Sequence, residues 1–366
     1  MKRIIAVLIS IFILLTISAC GNSSKKDDET SQSLEDYIES ISKALEDGSY
    51  WTTVSSEPEL LIEVYESYAE ITGCKNAVGS IVIPKEYNGK PVNRIAPGAF
   101  EGMLGITSVL LPDSLHEIGN RAFMSCSGLS SINIPDTVKT IGSAAFYGSG
   151  VKCVNIGAGV TEIGSNAFGN CTDLESIKVS AANTTYADES GVLYTIDRTE
   201  LVRYPAGRTD ESYTIYDTVQ KVSNFAFSYS QHLKSVTVGN SVTSLGDYTF
   251  LSCTKLESIN LGSSLTFIGA NTFDSCTALN SVTIPEGVRT IGYISDSLEC
   301  GGSFIGCTAL TEINLPATLV AIYQRSFEEC TNLARVNFAG SAGEWAAITV
   351  GEHNEPLTKA EIRFNK

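Results

Sequence analysis

The 366-residue chain is poor in the residues that do chemistry. It has three histidines (His116, His232 and His353), far apart in sequence, and only 18% of its residues are charged. Lysine and arginine total 25 against 41 aspartates and glutamates, a formal net charge of −16. Nucleic-acid binding is thereby disfavoured, since phosphate recognition needs clustered Lys and Arg. Electrostatic adhesion to an anionic membrane is disfavoured for the same reason. There is no Gly-x-Ser-x-Gly elbow, His-Glu-x-x-His, phosphate loop or Gly-x-Gly-x-x-Gly, so the commonest hydrolase, zincin and nucleotide-binding signatures are missing. No Cys-x-x-Cys or Cys–His cluster occurs, and neither a metal site nor a cofactor is expected. What is abundant is aliphatic: 43% of residues are hydrophobic, enough for a large core and too many for a disordered chain.

The chain opens with Lys2 and Arg3, an apolar run from Ile4 to Ile17, and then Ile17-Ser18-Ala19-Cys20. That run is shorter than the roughly 20 residues a spanning helix needs. The four closing residues resemble a bacterial lipobox, which implies a signal peptide over 1–19 and acylation of Cys20. More than one acyl chain gives stable anchoring where a single chain is marginal. An ordinary cleaved signal with a chance cysteine and an uncleaved anchor are the alternatives. Residues 20–33 are polar and read as a flexible tether. In 34–62, an N-terminal helix and lead-in, Leu34, Tyr37, Ile38, Ile41 and Leu45 keep helical spacing behind a capping Ser33. Between Trp51 and Cys74 the β-branched and aromatic content favours strand.

A repeat then governs the chain. Phenylalanines stand at 100, 123, 146, 168, 227, 250, 273, 304 and 327, mostly 23 residues apart. The unit Leu129–Val151, LSSINIPDTVKTIGSAAFYGSGV, is echoed from Leu256 and from Leu310. Alternation in Ser131-Ile132-Asn133-Ile134 turns both isoleucines inward. Pro135 ends the strand, a second short strand closes at Ile141-Gly142 with the glycine serving the turn, and a brief helical turn returns Phe146 to the core. No single unit buries its own apolar face, so units must stack. About ten layers roughly 4.8 Å apart would span roughly 45 Å. The gap from Phe168 to Phe227 exceeds the period by 36 residues, and Gly191–Pro205 within it reads as an inserted β-hairpin. The gap from Phe273 to Phe304 has eight residues more than the period, placed around Tyr293–Gly302.

The consensus Leu-x-x-Ile-x-Ile-Pro-x-x-Val-x-x-Ile-Gly-x-x-Ala-Phe-x-x-Cys resembles the BspA-like (Treponema-type) leucine-rich repeat. The resemblance implies a β-rich repeat solenoid, right-handed, over 63–338, with the hairpin insert at about 183–210 and a C-terminal cap over 339–366. The cap would be made of closing strands, with Trp345 plugging the open core. It also implies a surface lipoprotein that binds a protein or glycan in adhesion or interaction with host or other cells. A non-adhesive envelope scaffold is the second reading and an enzyme the disfavoured third.

Candidate sites follow the coil. The outward positions of strand one are Asn133, Asn155, Lys178, Thr237, Asn260, Thr283, Asn314 and Asn337, flanked by serines. Such a column either keeps an exposed sheet soluble or offers a polar platform to a partner. It has no aromatic anchor, which exposed hairpin tyrosines Tyr186, Tyr194 and Tyr204 would supply. Cys126, Cys171, Cys253, Cys276, Cys307 and Cys330 each follow an anchor phenylalanine by three residues and read as a buried ladder of inert thiols. Because Met103, Ser149 and Ser230 share the place, no particular chemistry is required of it. His116 reads as a solvated surface residue.

Overall fold

In Ser131–Ile134, Ile132 and Ile134 are buried while Ser131 and Asn133 face outward, as a period of two demands. The next coil copies it: Cys153–Ile156 runs parallel, with Asn155 opposite Asn133 and Ile156 opposite Ile134. The second strand is a pair of residues, Thr140–Ile141, between Glu117–Ile118 and Glu162–Ile163. The computed structural model describes residues 58–293 and 301–365. The expected signal, Cys20, the tether and the helix around Leu34–Leu45 lie outside the described residues. Within them the chain is a parallel β-solenoid of about 13 turns at about 23-residue spacing. This exceeds ten because turns at both ends and in the insert carry no anchor phenylalanine.

The phenylalanine segment is a run of tight turns rather than a helix, closed by bonds such as Ala145 N–H to Gly142 O and Ser149 N–H to Phe146 O. It forms a third hydrogen-bonded edge, because Ala144, Phe146 and Gly148 donate to Ser165, Ala167 and Gly169 of the next coil at 3.0, 2.8 and 2.9 Å. Alternate amides point along the stack because Ala144 (φ 54°) and Gly148 (φ 66°) adopt the left-handed conformation on either side of Phe146. Except at Gly292 (φ 72°), the glycine that closes the second strand has a different purpose from the expected turn. Gly142 has no positive φ; a Cβ there would lie 2.5 Å from Asn120 N and 2.6 Å from Gly119 C. At Gly164 it would lie 2.4 Å from Ser143 N. Glycine is needed so that successive coils can touch backbone to backbone.

The rings stack in columns. Phe100, Phe123, Phe146 and Phe168 follow one another at 5.0, 5.3 and 5.5 Å, their planes nearly parallel. A second column runs from Tyr204 through Phe227, Phe250, Phe273, Phe304 and Phe327.

Between the columns the insert forms a three-stranded antiparallel meander, Tyr186–Glu189, Val192–Thr195 and Glu200–Arg203. Its last strand pairs in parallel with Lys221–Val222 and so begins the next ladder. The middle strand is buried and two-sided. Leu193 belongs to a core that runs from Ala69 to Ile177, whereas Val192 and Tyr194 belong to a second core that continues to Leu357. One buried strand thus separates two hydrophobic cores.

At the start, Glu59–Val64 lies antiparallel to Ala69–Lys75 and covers the first coil. At the end, helix α1 (Ala342–Ala346) starts from a Ser341–Glu344 capping box, and helix α2 (Glu355–Lys359) precedes the closing strand Glu361–Phe364. Trp345 is only half-buried, edge-on to Phe338 at 5.3 Å. The fully buried plug is Leu357, which the flat pattern of the tail concealed.

Candidate functional site

The outward side chains of strand one align across a seven-stranded parallel sheet. Thr214, Thr237 and Asn260 stand opposite one another, and Thr283, Asn314, Asn337 and Arg363 continue the row. The last part is cross-linked: Asn314 Nδ2 donates to Thr283 Oγ1 at 2.9 Å, and Asn337 Nδ2 to Asn314 Oδ1 at 2.8 Å and Glu312 Oε1 at 2.6 Å. Hydrogen bonds from Arg335 and Asn337 hold the Glu312 carboxyl below its usual range. Thr214, Thr237 and Asn260 are exposed, and their side chains make no hydrogen bond among the described residues.

The row expected from sequence is not continuous. Asn133, Asn155 and Lys178 lie on a separate three-stranded sheet, where Asn155 Nδ2 donates to Asn133 Oδ1. The break follows Lys178 because the meander caps its strand: Ile177 N–H bonds Gly191 O at 2.9 Å and Val179 N–H bonds Asp188 Oδ1 at 2.8 Å. The longer row has two further members, Thr214 and Arg363, beyond those the sequence repeat points to. The alternation Ser212-Tyr213-Thr214-Ile215 matches Ser235-Val236-Thr237-Val238 and would have revealed the first.

The hairpin tyrosines are not an exposed anchor. Tyr194 and Tyr204 are 1% and 0% exposed, because the meander enters the stack instead of projecting from it. Tyr204 takes the place of an anchor phenylalanine against Phe227 at 5.1 Å and donates to Asp210 at 3.0 Å. Tyr194 and Tyr213 share a hydroxyl hydrogen bond of 2.6 Å. Tyr186 is half-buried, its hydroxyl accepting the Ile163 amide. The exposed aromatic nearby is Tyr216, at 47%. His116 is exposed.

The six ladder cysteines are free, buried thiols, and they do have a specific task. Each Sγ donates to the carbonyl of the anchor phenylalanine one coil earlier: Cys126 to Phe100, Cys171 to Phe146, Cys253 to Phe227, Cys276 to Phe250, Cys307 to Phe273 and Cys330 to Phe304, all at 3.0–3.1 Å. Serine at this place does not make the bond. Ser230 bonds Phe227 of its own coil, and Ser149 meets Cys171 Sγ. The longer reach of the C–S bond accounts for the preference for cysteine. Burial pushes the thiols up, Cys126 to about 11 and Cys253 and Cys330 to about 12, which makes them poor nucleophiles. Among the described residues no group of three ligating side chains could hold a metal ion, and no helix is long and apolar enough to cross a membrane.

The coil geometry has a known counterpart. Residues 93–195, 209–295 and 300–346 match the BspA type leucine rich repeat region in six copies. The chain belongs to that family. Among solved structures, a leucine-rich cell surface protein of Faecalibacterium prausnitzii is 25% identical, with a TM-score of 0.55 over 81% of this chain and 98% of that one. A leucine-rich repeat protein of Eubacterium ventriosum is 24% identical, with a TM-score of 0.58 over 86% and 95%. The pneumococcal vaccine antigen PcpA is 18% identical, with a TM-score of 0.54 over 85% and 98%. No protein of curated function matches. Leucine-rich repeat solenoid scaffolds of this kind are generally non-enzymatic.

Proposed function

We propose that the protein is held at the bacterial surface through acylated Cys20 and binds a protein or glycan partner. The contact face is the outward row of the seven-stranded sheet. One observation carries this reading: Thr214, Thr237 and Asn260 form a run of exposed polar side chains in register, with their hydrogen-bonding groups unused. Beside it, Asn314 and Asn337 are already fixed by their neighbours, giving a firm border to a row of open donors and acceptors. Tyr216 at the edge supplies the aromatic surface that the row lacks.

The test is a screen of the lipid-free chain against glycans, matrix proteins and the cell's own envelope fractions, followed by the double variant Thr214→Glu/Asn260→Glu. The two sites lie two coils apart, about 10 Å, so the added charges are largely screened, and surface changes of this kind alter stability by under about 0.5 kcal/mol. The variant should melt like the parent and bind the selected partner about tenfold more weakly or worse. Unchanged binding would refute this face. A partner found in the envelope fraction alone would favour a scaffold over an adhesin.

A further inference from the structure

The first coil is capped on one sheet and open on the other. Ala69–Lys75 is covered by its antiparallel neighbour Glu59–Val64. The other strand of that coil, Gly79–Val82, pairs in parallel with Ile106–Leu110 and ends its sheet; no strand lies on its outer side among the described residues. Gly79 and Ile83 donate inward along the stack, to Gly105 O at 2.8 Å and Leu110 O at 3.0 Å. The residues that alternate with them, Ser80 and Val82, therefore turn their amides to the open edge. Such an edge is a template for a further strand.

This edge also breaks the polar pattern of the repeat. Ser108-Val109-Leu110-Leu111-Pro112 and Ser80-Ile81-Val82-Ile83-Pro84 align with Ser131-Ile132-Asn133-Ile134-Pro135, so Leu110 and Val82 hold the outward place of Asn133. They stand opposite one another and are 37% and 42% exposed. Val78 and Leu104, each 63% exposed, extend the patch, since Val78 Cγ2 lies 3.2 Å from where a Cβ on Gly105 would be.

The chain supplies an occupant. Glu59 stands opposite Lys75 in an antiparallel pair, so the chain read backward from Pro58 travels the same way as the first coil, past Asn76 toward Gly79–Val82. From Glu59 back to Tyr50 an extended chain reaches about 30 Å, against at most about 25 Å from Lys75 to Val82. Tyr50-Trp51-Thr52-Thr53-Val54 is an unbroken aromatic and β-branched run, the composition of a strand. Pro58, which has no amide to give a ladder, stands between this run and Glu59.

We propose that residues 50–55 pair antiparallel with the open edge of Gly79–Val82 and bring Trp51 onto the apolar patch of Val78, Val82, Leu104 and Leu110. One continuous segment, turning at Pro58, then caps both sheets of the first coil. It removes the edge at which another chain could add, and the free tether behind Cys20 ends at residue 49.

The test is residue-resolved hydrogen exchange on the chain from residue 21 onward, with and without Thr52→Pro/Thr53→Pro. That double variant removes the pairing amides and lies outside the coils. The Ser80 and Val82 amides should exchange at least about tenfold more slowly in the parent than in the variant, while amides of the second core stay the same in both. Trp345→Phe leaves Trp51 as the one tryptophan of the chain. In that background Trp51 emission should lie to the blue of the urea-unfolded chain, and move to the unfolded position on adding the two prolines or Val82→Asp/Leu110→Asp. Where Trp345→Phe unfolds the C-terminal cap, exchange decides. Equal exchange at Ser80 and Val82 in parent and proline variant overturns the proposal, as does Trp51 emission at the unfolded position in the folded chain. Protection that fades when the parent is diluted also overturns it and assigns the edge to a second copy.

Discussion

Replacing Phe273 by alanine is the sharpest test of the stacked coil. The ring is fully buried and lies between Phe250, 5.5 Å away and parallel, and Phe304, 5.0 Å away at 13°. A buried Phe→Ala change costs about 3–5 kcal/mol, more where the surroundings cannot collapse. Here they are pinned. Phe250 N–H is tied to Thr272 O and Phe273 N–H to Ser303 O, each at 2.8 Å, so the flanking rings cannot slide together. The upper part of the range, about 4–5 kcal/mol, is expected, and it includes two aromatic contacts worth about 0.5–1.5 kcal/mol each. Since a domain is typically stable by only about 5–15 kcal/mol, and coils lean only on their neighbours, the damage should spread along the second core. Peptide-resolved hydrogen exchange should show lost protection across Leu256–Thr290 and outward within the core of Val192–Leu357. Amides of the first core, Ala69–Ile177, should keep theirs. Parent-like protection at Leu256–Thr290 would refute the stacking argument, and equal loss in both halves would refute the division of the core.

Cys276→Ser should destabilise by about 0.5–1.5 kcal/mol for the one cross-coil hydrogen bond lost, because Phe250 O keeps the Cys253 amide; a serine variant that unfolds in urea like the parent would contradict the cross-coil role. The thiols also give a pH dependence. Their folded pKa values, about 11 for Cys126 and about 12 for Cys253 and Cys330, lie above the unfolded value of about 8.5, so the native state retains protons that the unfolded state releases. Stability is therefore full below about pH 8.5 and falls as pH rises toward 12; chemical denaturation between pH 7 and 10.5 should show this, and a flat profile would mean the thiols are not desolvated. Cys20→Ala should abolish incorporation of an alkyne fatty acid and release the protein from the membrane fraction; label persisting on that variant would remove the anchor from the proposed function.

The coil was legible in the sequence because its signals are local. Ile132 and Ile134 alternate with Ser131 and Asn133 within four residues, and Phe146 recurs at the period. What escaped depends on contacts between residues a whole coil apart. Gly142 looks like a turn residue until Asn120 of the preceding coil is placed against it. Cys276 looks like small filler until the Phe250 carbonyl lies above it. The hairpin is legible, but nothing in Gly191–Pro205 says that a second set of coils covers its far side, and so the sequence alone places Tyr194 and Tyr204 in solvent. The polar row is legible in its asparagines and threonines, and its interruption after Lys178 is a property of the meander alone.

A single buried strand between two cores makes the molecule a two-stage spring. Load applied to the chain ends would pass through the meander, where the halves are joined by few links, among them the Tyr147–Tyr229 hydroxyl contact at 3.0 Å and the Gly207 to Leu174 backbone bond at 2.8 Å. The halves would part there first, paying out the segment from Ser180 to Glu211, on the order of 100 Å of chain, with Tyr204 leaving the second column, while the remaining coils of both stacks stayed folded. A protein that holds a partner on one stack while tethered through the other would thus yield under shear by lengthening before it lost either its grip or its fold.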